Sequence, residues 1–146
     1  MLTVNKIIAK KGSEIYSIHP NQTVYEALTV LAQKEIGALL VIDGEEICGI
    51  FSERDYARKL ILKGIFSKEA LVKDVMTKDL ITISVDANIF ECMSLMSDHK
   101  IRHLPVLKDD KLVGMISIGD VVNLVIHSQK ETIESLESYI KGGSYA

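Results

Sequence analysis

Two short Ser-x-x-Asp sequences, Ser52–Asp55 and Ser117–Asp120, contain the residue types best suited to chemistry in this chain. A serine followed three positions later by an acidic residue can form a capping box at the first turn of a helix, which is a structural role. The same arrangement can bind a ligand, because amides at a helix N-terminus attract phosphate and a carboxylate accepts hydrogen bonds from a ribose diol. Both interpretations stay open from these residues alone, although two symmetric occurrences favour a pair of equivalent sites.

Several cations could serve the same chemistry. Arg102 and His103 precede an apolar run, and Arg54 lies inside the first Ser-x-x-Asp sequence. Lys10-Lys11-Gly12 and Met76-Thr77-Lys78 occupy equivalent positions before two extended segments, and a glycine there permits close approach of the backbone to a ligand. Taken singly, such cations are more often solvated than bound to a ligand. Here they are candidates for holding a small anion.

Catalytic and metal-binding interpretations find little support. Cys92, His99 and His103 are spaced as metal ligands can be, but Cys92 occupies the position of Ala27 in the repeat described below, which is typical of a small core residue. The chain contains no nucleophile-elbow sequence, no Walker loop and no Gly-x-Gly-x-x-Gly sequence. We therefore expect a protein that is not an enzyme, with no metal site and no catalytic cofactor.

The composition is that of a folded protein without a polyanion-binding surface. The chain has 146 residues, of which 17 are basic and 20 acidic, a net charge of −3 and a hydrophobic fraction of 47%. The near-neutral balance, the aromatic content of 5% and the lack of Trp argue against nucleic acid as a partner. No apolar run reaches the roughly 18 residues of a membrane span, and the N-terminal residues lack the layout of a signal peptide. With only two distant cysteines, we expect a reduced, cytoplasmic protein with no membrane partner.

The elements that must position these residues are repeated along the chain at an offset of 65 residues. The repeat runs without a gap between residues 18–60 and 83–125, and it indicates a duplicated supersecondary module with pseudo-two-fold symmetry. The identical pairs are Ile18/Ile83, Glu26/Glu91, Ile36/Ile101, Leu39/Leu104, Val41/Val106, Gly49/Gly114, Ser52/Ser117 and Asp55/Asp120.

Each copy predicts the order strand, helix, strand, strand, helix. The first helix begins with a capping sequence, Thr23–Glu26 in copy one and Asn88–Glu91 in copy two, and the Ser-x-x-Asp sequences open the second helix. Residues 1–10 predict a short helix, and residues 127–146 predict a helix with heptad-like apolar spacing that packs on the domain or on a second subunit. We assign residues 1–65 to the first repeat with its N-terminal segment, 66–127 to the second repeat and 128–146 to the C-terminal helix and tail.

These sequences together resemble the CBS-domain (cystathionine-β-synthase domain) pair family, and in particular its small stand-alone bacterial members. The resemblance covers about residues 1–127, and it depends on several sequences in order rather than on any one of them. They are Ile36-Gly37-Ala38, Ser52-Glu53-Arg54-Asp55, Val75-Met76-Thr77, Arg102-His103-Leu104-Pro105-Val106 and Ser117-Ile118-Gly119-Asp120-Val121-Val122. The resemblance implies an α+β fold of tandem CBS repeats, with two three-stranded sheets flanked by helices and a pseudo-two-fold axis.

The resemblance also implies two nucleotide-binding clefts between the copies, each taking Ser and Asp from one copy. For one cleft, it implies Ser117 and Asp120 with Lys11, Gly12, Ile15, Tyr16, Ile36, Gly37 and Ala38 on the adenine side and Arg102 and His103 on the phosphate side. For the other, it implies Ser52, Arg54 and Asp55 with Met76, Thr77, Leu80, Ile81, Ile101, Arg102 and His103, and Pro105 completes the set of binding residues. The sequence departs from the family pattern in having Leu40 where proline is frequent and Gly119 where Ser, Thr or Arg is frequent. We therefore expect the two sites to differ.

The function that the resemblance implies is that of a regulatory sensor of adenine nucleotides, with AMP, ADP, ATP or NAD(H) as the regulatory ligand. Ligand binding would alter the arrangement of a homodimer formed through CBS helices, or binding to an unidentified regulated protein. The alternative is a protein–protein interaction or dimerisation module whose nucleotide sites are vestigial and whose Ser-x-x-Asp sequences act only as helix caps. A nucleic-acid binder is the weakest hypothesis because the chain has no basic stripe.

Overall fold

The computed structural model describes residues 2–12 and 14–143 and divides the chain into two compact units. Residues Glu14–Ile81 form the repeat-one unit, whereas Met1–Ser13 and Thr82–Ala146 together form the repeat-two unit. The N-terminal segment thus belongs with the second copy of the repeat, although the sequence pattern grouped it with the first. The boundaries predicted from the sequence, 1–65, 66–127 and 128–146, describe the two repeats and the tail rather than these units, and they stay a prediction.

The repeat-one unit contains one sheet with helices around it. Its elements in order are β1 (Ser17–Ile18), α2 (Val24–Lys34), β2 (Ala38–Asp43), β3 (Glu46–Ser52), α3 (Glu53–Lys59), a 3₁₀ turn (Ile61–Lys63) and α4 (Val72–Val75), and α1 (Val4–Lys11) precedes them in the other unit. The sheet order is β1-β2-β3, with β1 parallel and β3 antiparallel to the central strand β2. Helix α2 begins at Thr23 with the predicted capping box, because Thr23 Oγ1 accepts from Glu26 N and the Glu26 carboxylate accepts from Thr23 N.

The repeat-two unit has the same topology. Its elements are α1 followed by β4 (Ile83–Ser84), α5 (Ile89–His99), β5 (His103–Lys108), β6 (Lys111–Ser117) and α6 (Ile118–Gly143), with sheet order β4-β5-β6. The central hairpins match residue for residue, since Val41 lies opposite Gly49 and Val106 lies opposite Gly114. The predicted α+β class with two three-stranded sheets and flanking helices is therefore confirmed.

Equivalent apolar positions form the core of each unit. In the repeat-one unit the buried side chains come from β1, β2, β3, α2 and α4 and from the residue that ends α3, and they include Ile18, Val24, Ala27, Leu31, Leu39, Val41, Phe51, Leu60, Val72 and Val75. The repeat-two unit buries Val4, Ile7, Ile83, Val85, Ile89, Cys92, Met96, Leu104, Val106, Ile116 and Val121. The buried positions on the first helix of each copy are equivalent, since Val24, Ala27 and Leu31 correspond to Ile89, Cys92 and Met96.

Helix α1 plays the part in the repeat-two unit that α4 plays in the repeat-one unit. The Val4 amide donates to the Ala87 carbonyl, and the Val72 amide donates to the equivalent Gln22 carbonyl. Val4 therefore corresponds to Val72, which is three residues out of step with the offset of 65. Helix α1 has 8 residues and α4 has 4, so Lys11 lies in an additional turn that α4 lacks.

Helix α6 continues directly from the second Ser-x-x-Asp sequence for 26 residues. The tail predicted to be helical from residue 127 is the distal part of this one helix, and residues 144–146 of that prediction lie outside the described residues. Within the ranges 2–12 and 14–143, no helix is both long enough and apolar enough to cross a membrane.

Candidate functional site

The carboxylate of Asp55 caps α3 and is held from both oxygens. Its Oδ2 accepts from Ser52 N at 3.0 Å and from Ser52 Oγ at 3.1 Å, while Asp55 N donates to Ser52 Oγ at 3.1 Å. Its Oδ1 accepts from Thr77 Oγ1 at 3.1 Å and contacts Lys59 Nζ at 3.0 Å. The side chain is only 9% exposed. Asp55 therefore joins the helix start to the segment that follows α4.

The carboxylate of Asp120 caps α6 in the same way but is more open. Its Oδ2 accepts from Ser117 N at 2.9 Å, and Asp120 N donates to Ser117 Oγ at 3.2 Å, which is a capping box. The side chain is 24% exposed, and no partner of Oδ1 is recorded among the residues that the structure describes. Leu124 stands at the position equivalent to Lys59, so α6 has no lysine one turn further along. One oxygen of this carboxylate is thus available to a ligand.

Lys11 connects α1 to this carboxylate. Its Nζ lies 2.7 Å from Asp120 Oδ2 and 2.9 Å from the carbonyl oxygen of Met115, to which it donates. In the repeat-one unit, the equivalent groups are the Ile50 carbonyl and Asp55, and they accept from the amide and the hydroxyl of Thr77. A single exposed ammonium group therefore does in one unit what a backbone bridge and a hydroxyl do in the other.

The electrostatics around Asp120 are those of a carboxylate in a cationic setting. Burial alone would raise the pKa of Asp120, but the hydrogen bonds from Lys11 and Ser117 and the charge of Lys11 outweigh it, so the pKa is lowered. Burial lowers the pKa of His103, the charges of Lys11 and Arg102 lower it further, and Asp120 opposes them in part. His103 thus favours its neutral form while Lys11 carries the positive charge.

Two glycines at equivalent positions allow close packing against the hairpins. A Cβ on Gly49 would lie 2.5 Å from the backbone oxygen of Thr77, and a Cβ on Gly114 would lie 2.8 Å from Cδ1 of Ile8. The backbone at Thr77 pairs with Ile50 as an isolated antiparallel bridge. The absence of a side chain at Gly49 therefore lets Thr77 reach Asp55.

The other predicted binding residues are distributed over the two units as follows. Arg102 is exposed, Ile101 is half-buried and Pro105 is buried in β5, all in the repeat-two unit with Gly12, the positive-φ residue that ends α1. The repeat-one unit holds Ile15, Tyr16, Ile36, Gly37, Ala38, Arg54, Met76, Leu80 and Ile81. The structure therefore brings Ser117, Asp120, Lys11 and His103 together in one unit, and Ser52, Asp55 and Thr77 together in the other. The participation of the remaining residues in binding stays a prediction.

Two contacts of the candidate site are not among the sequence predictions. Lys59, which was not singled out, pairs with Asp55 and donates to the Val75 carbonyl at 2.9 Å. Its position four residues after Asp55 on the same helix was the available signal. Lys11 was singled out for the adenine side, but its contact with Asp120 depends on the additional turn of α1, which the sequence pattern does not reveal.

Cys92 is a core residue, as the sequence predicted. Its side chain is buried in α5, and burial raises the pKa of the thiol to about 11. Within the described part of the chain, no group of three or more His, Cys, Asp or Glu side chains is arranged to hold a metal ion.

Comparison with known proteins gives a consistent family assignment. The family model for the CBS domain matches residues 8–62 and again residues 72–127. A mitochondrial CBS domain-containing protein from Arabidopsis thaliana, CBSX3, is 44% identical over 128 residues, which are 84% of this chain and 62% of that protein. The chain thus spans less than two thirds of the length of that relative.

Solved structures have the same fold. A putative signal-transduction protein with CBS domains from Burkholderia ambifaria MC40-6 is 46% identical, with a TM-score of 0.84 over 87% of this chain and 96% of that one. The CBS domain pair of protein MJ0100, solved in complex with 5′-methylthioadenosine and S-adenosyl-L-methionine, is 23% identical with a TM-score of 0.75 over 88% of this chain and 98% of that one. The family model that matches this chain does not indicate a catalytic family. With that model matched twice in succession, the chain belongs to the CBS-domain family and carries a tandem pair of CBS domains.

Proposed function

We propose that this chain is a regulatory module that binds an adenosine-containing nucleotide, such as AMP, ADP, ATP or NAD(H), through Asp120 and its neighbours. The observation that carries the proposal is the 2.7 Å contact between Lys11 and Asp120, a partly exposed carboxylate whose Oδ1 has no recorded partner among the described residues. A ribose diol offers two adjacent hydroxyl donors, which is the complement of such a carboxylate.

The groups around Asp120 suit a phosphate. Lys11 is 42% exposed and can turn from the carboxylate to an anionic ligand, and Arg102 lies exposed directly before His103. In the first turn of α6, Ile118 N donates to the Arg102 carbonyl and Asp120 N to Ser117 Oγ. Gly119 N has no recorded acceptor in the described residues, and its missing side chain leaves this helix start open.

The ligand class also has support from the fold. The MJ0100 pair was solved with two adenosine compounds, so the fold accommodates an adenosine group in that protein. For this chain, the cationic groups favour a phosphate-bearing ligand over the uncharged 5′-methylthioadenosine. The output that we propose is a change in subunit arrangement or in binding to a regulated protein.

Isothermal titration calorimetry of the full chain with AMP, ADP, ATP, NAD⁺ and NADH tests the proposal. We expect one of these nucleotides to bind, and Asp120→Asn to weaken it about tenfold or more because the ribose loses a charged acceptor. Asp110→Asn is the matched control, since it removes the same charge from the exposed hairpin turn of the same unit. A panel that produces neither heat nor a thermal shift at millimolar ligand contradicts the proposal.

The Ser52–Asp55 half fits the alternative of a structural, vestigial site better. Both carboxylate oxygens are already hydrogen bonded, and the side chain is nearly buried. A ligand there would have to displace Thr77 or Lys59 before it could bind. We therefore expect the calorimetric stoichiometry to be one nucleotide per chain rather than two.

A further inference from the structure

The distal half of α6 presents an apolar seam, and the other side chains of residues 126–141 are polar apart from the exposed Tyr139. Ile126 is 46% exposed, Ile133 55% and Leu136 56%, and Ile140 continues the spacing at 65%. The intervals of 7, 3 and 4 residues place these side chains on one stripe of the helix, as in the a and d positions of a heptad. From residue 129 to residue 141 every position of the helix is exposed.

The charges beside this seam complement a second copy of the same helix in antiparallel orientation. With Ile133 at an a position, Leu136 is at d, and Lys130 and Glu137 are both at e. An antiparallel pair that places Ile133 against Leu136 of its partner also places Lys130 against Glu137 of its partner, twice by symmetry. In a parallel pair, Thr132 and Val125 would face these charges instead, and no opposite charges would meet.

The ion pairs within the helix leave this complementarity intact. His127 pairs with Glu131 at 3.1 Å on the side away from the seam, and no ion pair of Lys130 or Glu137 is recorded among the described residues. We propose that the distal half of α6, residues 126–140, is a self-association surface that pairs with the same segment of a second copy in antiparallel orientation. This surface is distinct from the helix faces that directly follow Asp55 and Asp120, which belong to the CBS helices of the expected homodimer. The inference does not depend on nucleotide binding.

Sedimentation equilibrium of the full chain over a range of concentrations measures the dimer dissociation constant. We expect Leu136→Gln to raise it about a hundredfold or more, since each copy loses one seam side chain. Because Leu136 is exposed within the chain, this substitution leaves the fold of the unit unchanged, which far-UV circular dichroism checks. A chain that stays monomeric at every concentration, or an unchanged dissociation constant, overturns the proposal.

A charge exchange tests the orientation. Lys130→Glu turns each of the two Lys130–Glu137 pairs into a pair of carboxylates and should weaken the dimer about tenfold. The double variant Lys130→Glu with Glu137→Lys should restore the association. Lys141→Glu is the matched control, because it makes the same charge change at a b position outside the seam. Failure of the double variant to restore association overturns the antiparallel pairing.

A cysteine at Gln129 separates the two orientations directly. In the antiparallel pair, Gln129 of one copy lies opposite Ile140 of the other, so the two Gln129→Cys thiols are about 16 Å apart and cannot form a disulfide. In a parallel pair they face each other, and rapid oxidation to a dimer would overturn the proposal. The seam could instead pack on the exposed Leu62 and Phe66 of a second copy. In that case Leu62→Gln would weaken the dimer and the charge exchange would not, which would overturn the antiparallel pairing.

Discussion

The two halves of this protein have the same fold and the same Ser-x-x-Asp cap, but they secure the aspartate differently. Asp55 is held by Ser52, by the Thr77 hydroxyl and by Lys59, and Thr77 is itself fixed by a backbone bridge to Ile50. Asp120 is held by Ser117 and by the end of one lysine side chain. A duplicated module can thus keep one copy of a motif as a structural joint and leave the other accessible to a ligand.

The largest expected difference between the halves is in the stability lost with each carboxylate. We expect Asp55→Ala to lower the free energy of unfolding by about 2–3 kcal/mol, because it removes a buried acceptor and strands the groups that donate to it. Asp120→Ala should lower it by about 1 kcal/mol, which is the range for loss of an N-cap interaction. Urea unfolding of the two variants and the parent chain gives the comparison, and equal losses would show that the two aspartates do the same structural work.

The two aligned glycines give a second comparison of the halves. Gly49→Ala places a Cβ against the Thr77 backbone oxygen, which cannot move without breaking the bridge to Ile50, and we expect a loss of about 2 kcal/mol. Gly114→Ala meets only the terminal methyl of Ile8, a flexible group, so the loss should be less than about 1 kcal/mol. Thermal unfolding of both variants ranks them, and a larger loss for Gly114→Ala would contradict the view that Gly49 is the more tightly constrained of the two positions.

The pH dependence of stability should be traceable to His103, which has no equivalent histidine in the repeat-one unit. Its pKa is lowered in the folded protein, chiefly by burial, so the unfolded chain binds the proton more readily. Stability should therefore fall as the pH decreases below about 6.5, the ordinary pKa of histidine. Asp120, whose pKa is also lowered, should add its own loss only below about pH 4, where the unfolded carboxyl becomes protonated.

His103→Gln isolates the histidine contribution. Its unfolding free energy should vary less between pH 7.5 and 5.5 than that of the parent chain. His19→Gln is the control. His19 directly follows a strand, as His103 begins one, but it lies in the repeat-one unit, where its Nε2 contacts Asp43 at 3.2 Å. If the parent and the His103 variant follow the same curve, the histidine does not titrate differently in the folded and unfolded chains.

Most of the fold was accessible from the sequence because the duplication doubled every signal. The helix caps at Thr23 and Asn88, the paired strands and the Ser-x-x-Asp helix starts each occur twice, and most apolar positions that are buried in one copy are buried in the other. The capping role of both serines was also predictable, since it depends only on local geometry. These features involve residues that lie close together in sequence.

The difference between the two halves was not accessible in this way. It arises because α1 is one turn longer than α4. The end of a helix is the part of an element that a sequence pattern predicts least reliably. The contact of Lys11 with Asp120 joins residues that are 109 positions apart. The sequence pattern matched Lys10-Lys11-Gly12 with Met76-Thr77-Lys78, whereas the backbone contacts match Val4 with Val72, which is three residues out of step with the offset of 65.

Lys11→Met gives the smallest expected change in stability and the sharpest test of the difference between the halves. The ion pair that it removes is partly exposed, so the free energy of unfolding should change by no more than about 0.5 kcal/mol. If Lys11 passes from Asp120 to the ligand phosphate, the variant should bind AMP about tenfold more weakly, because a charged hydrogen bond is lost. Adenosine, which has no phosphate, should bind the variant as well as the parent or better, since the lysine no longer competes for the carboxylate. Lys10 is the neighbouring lysine in the last turn of α1, and Lys10→Met should change neither affinity. An equal loss of AMP and adenosine affinity in Lys11→Met would mean that Lys11 only holds Asp120 in place.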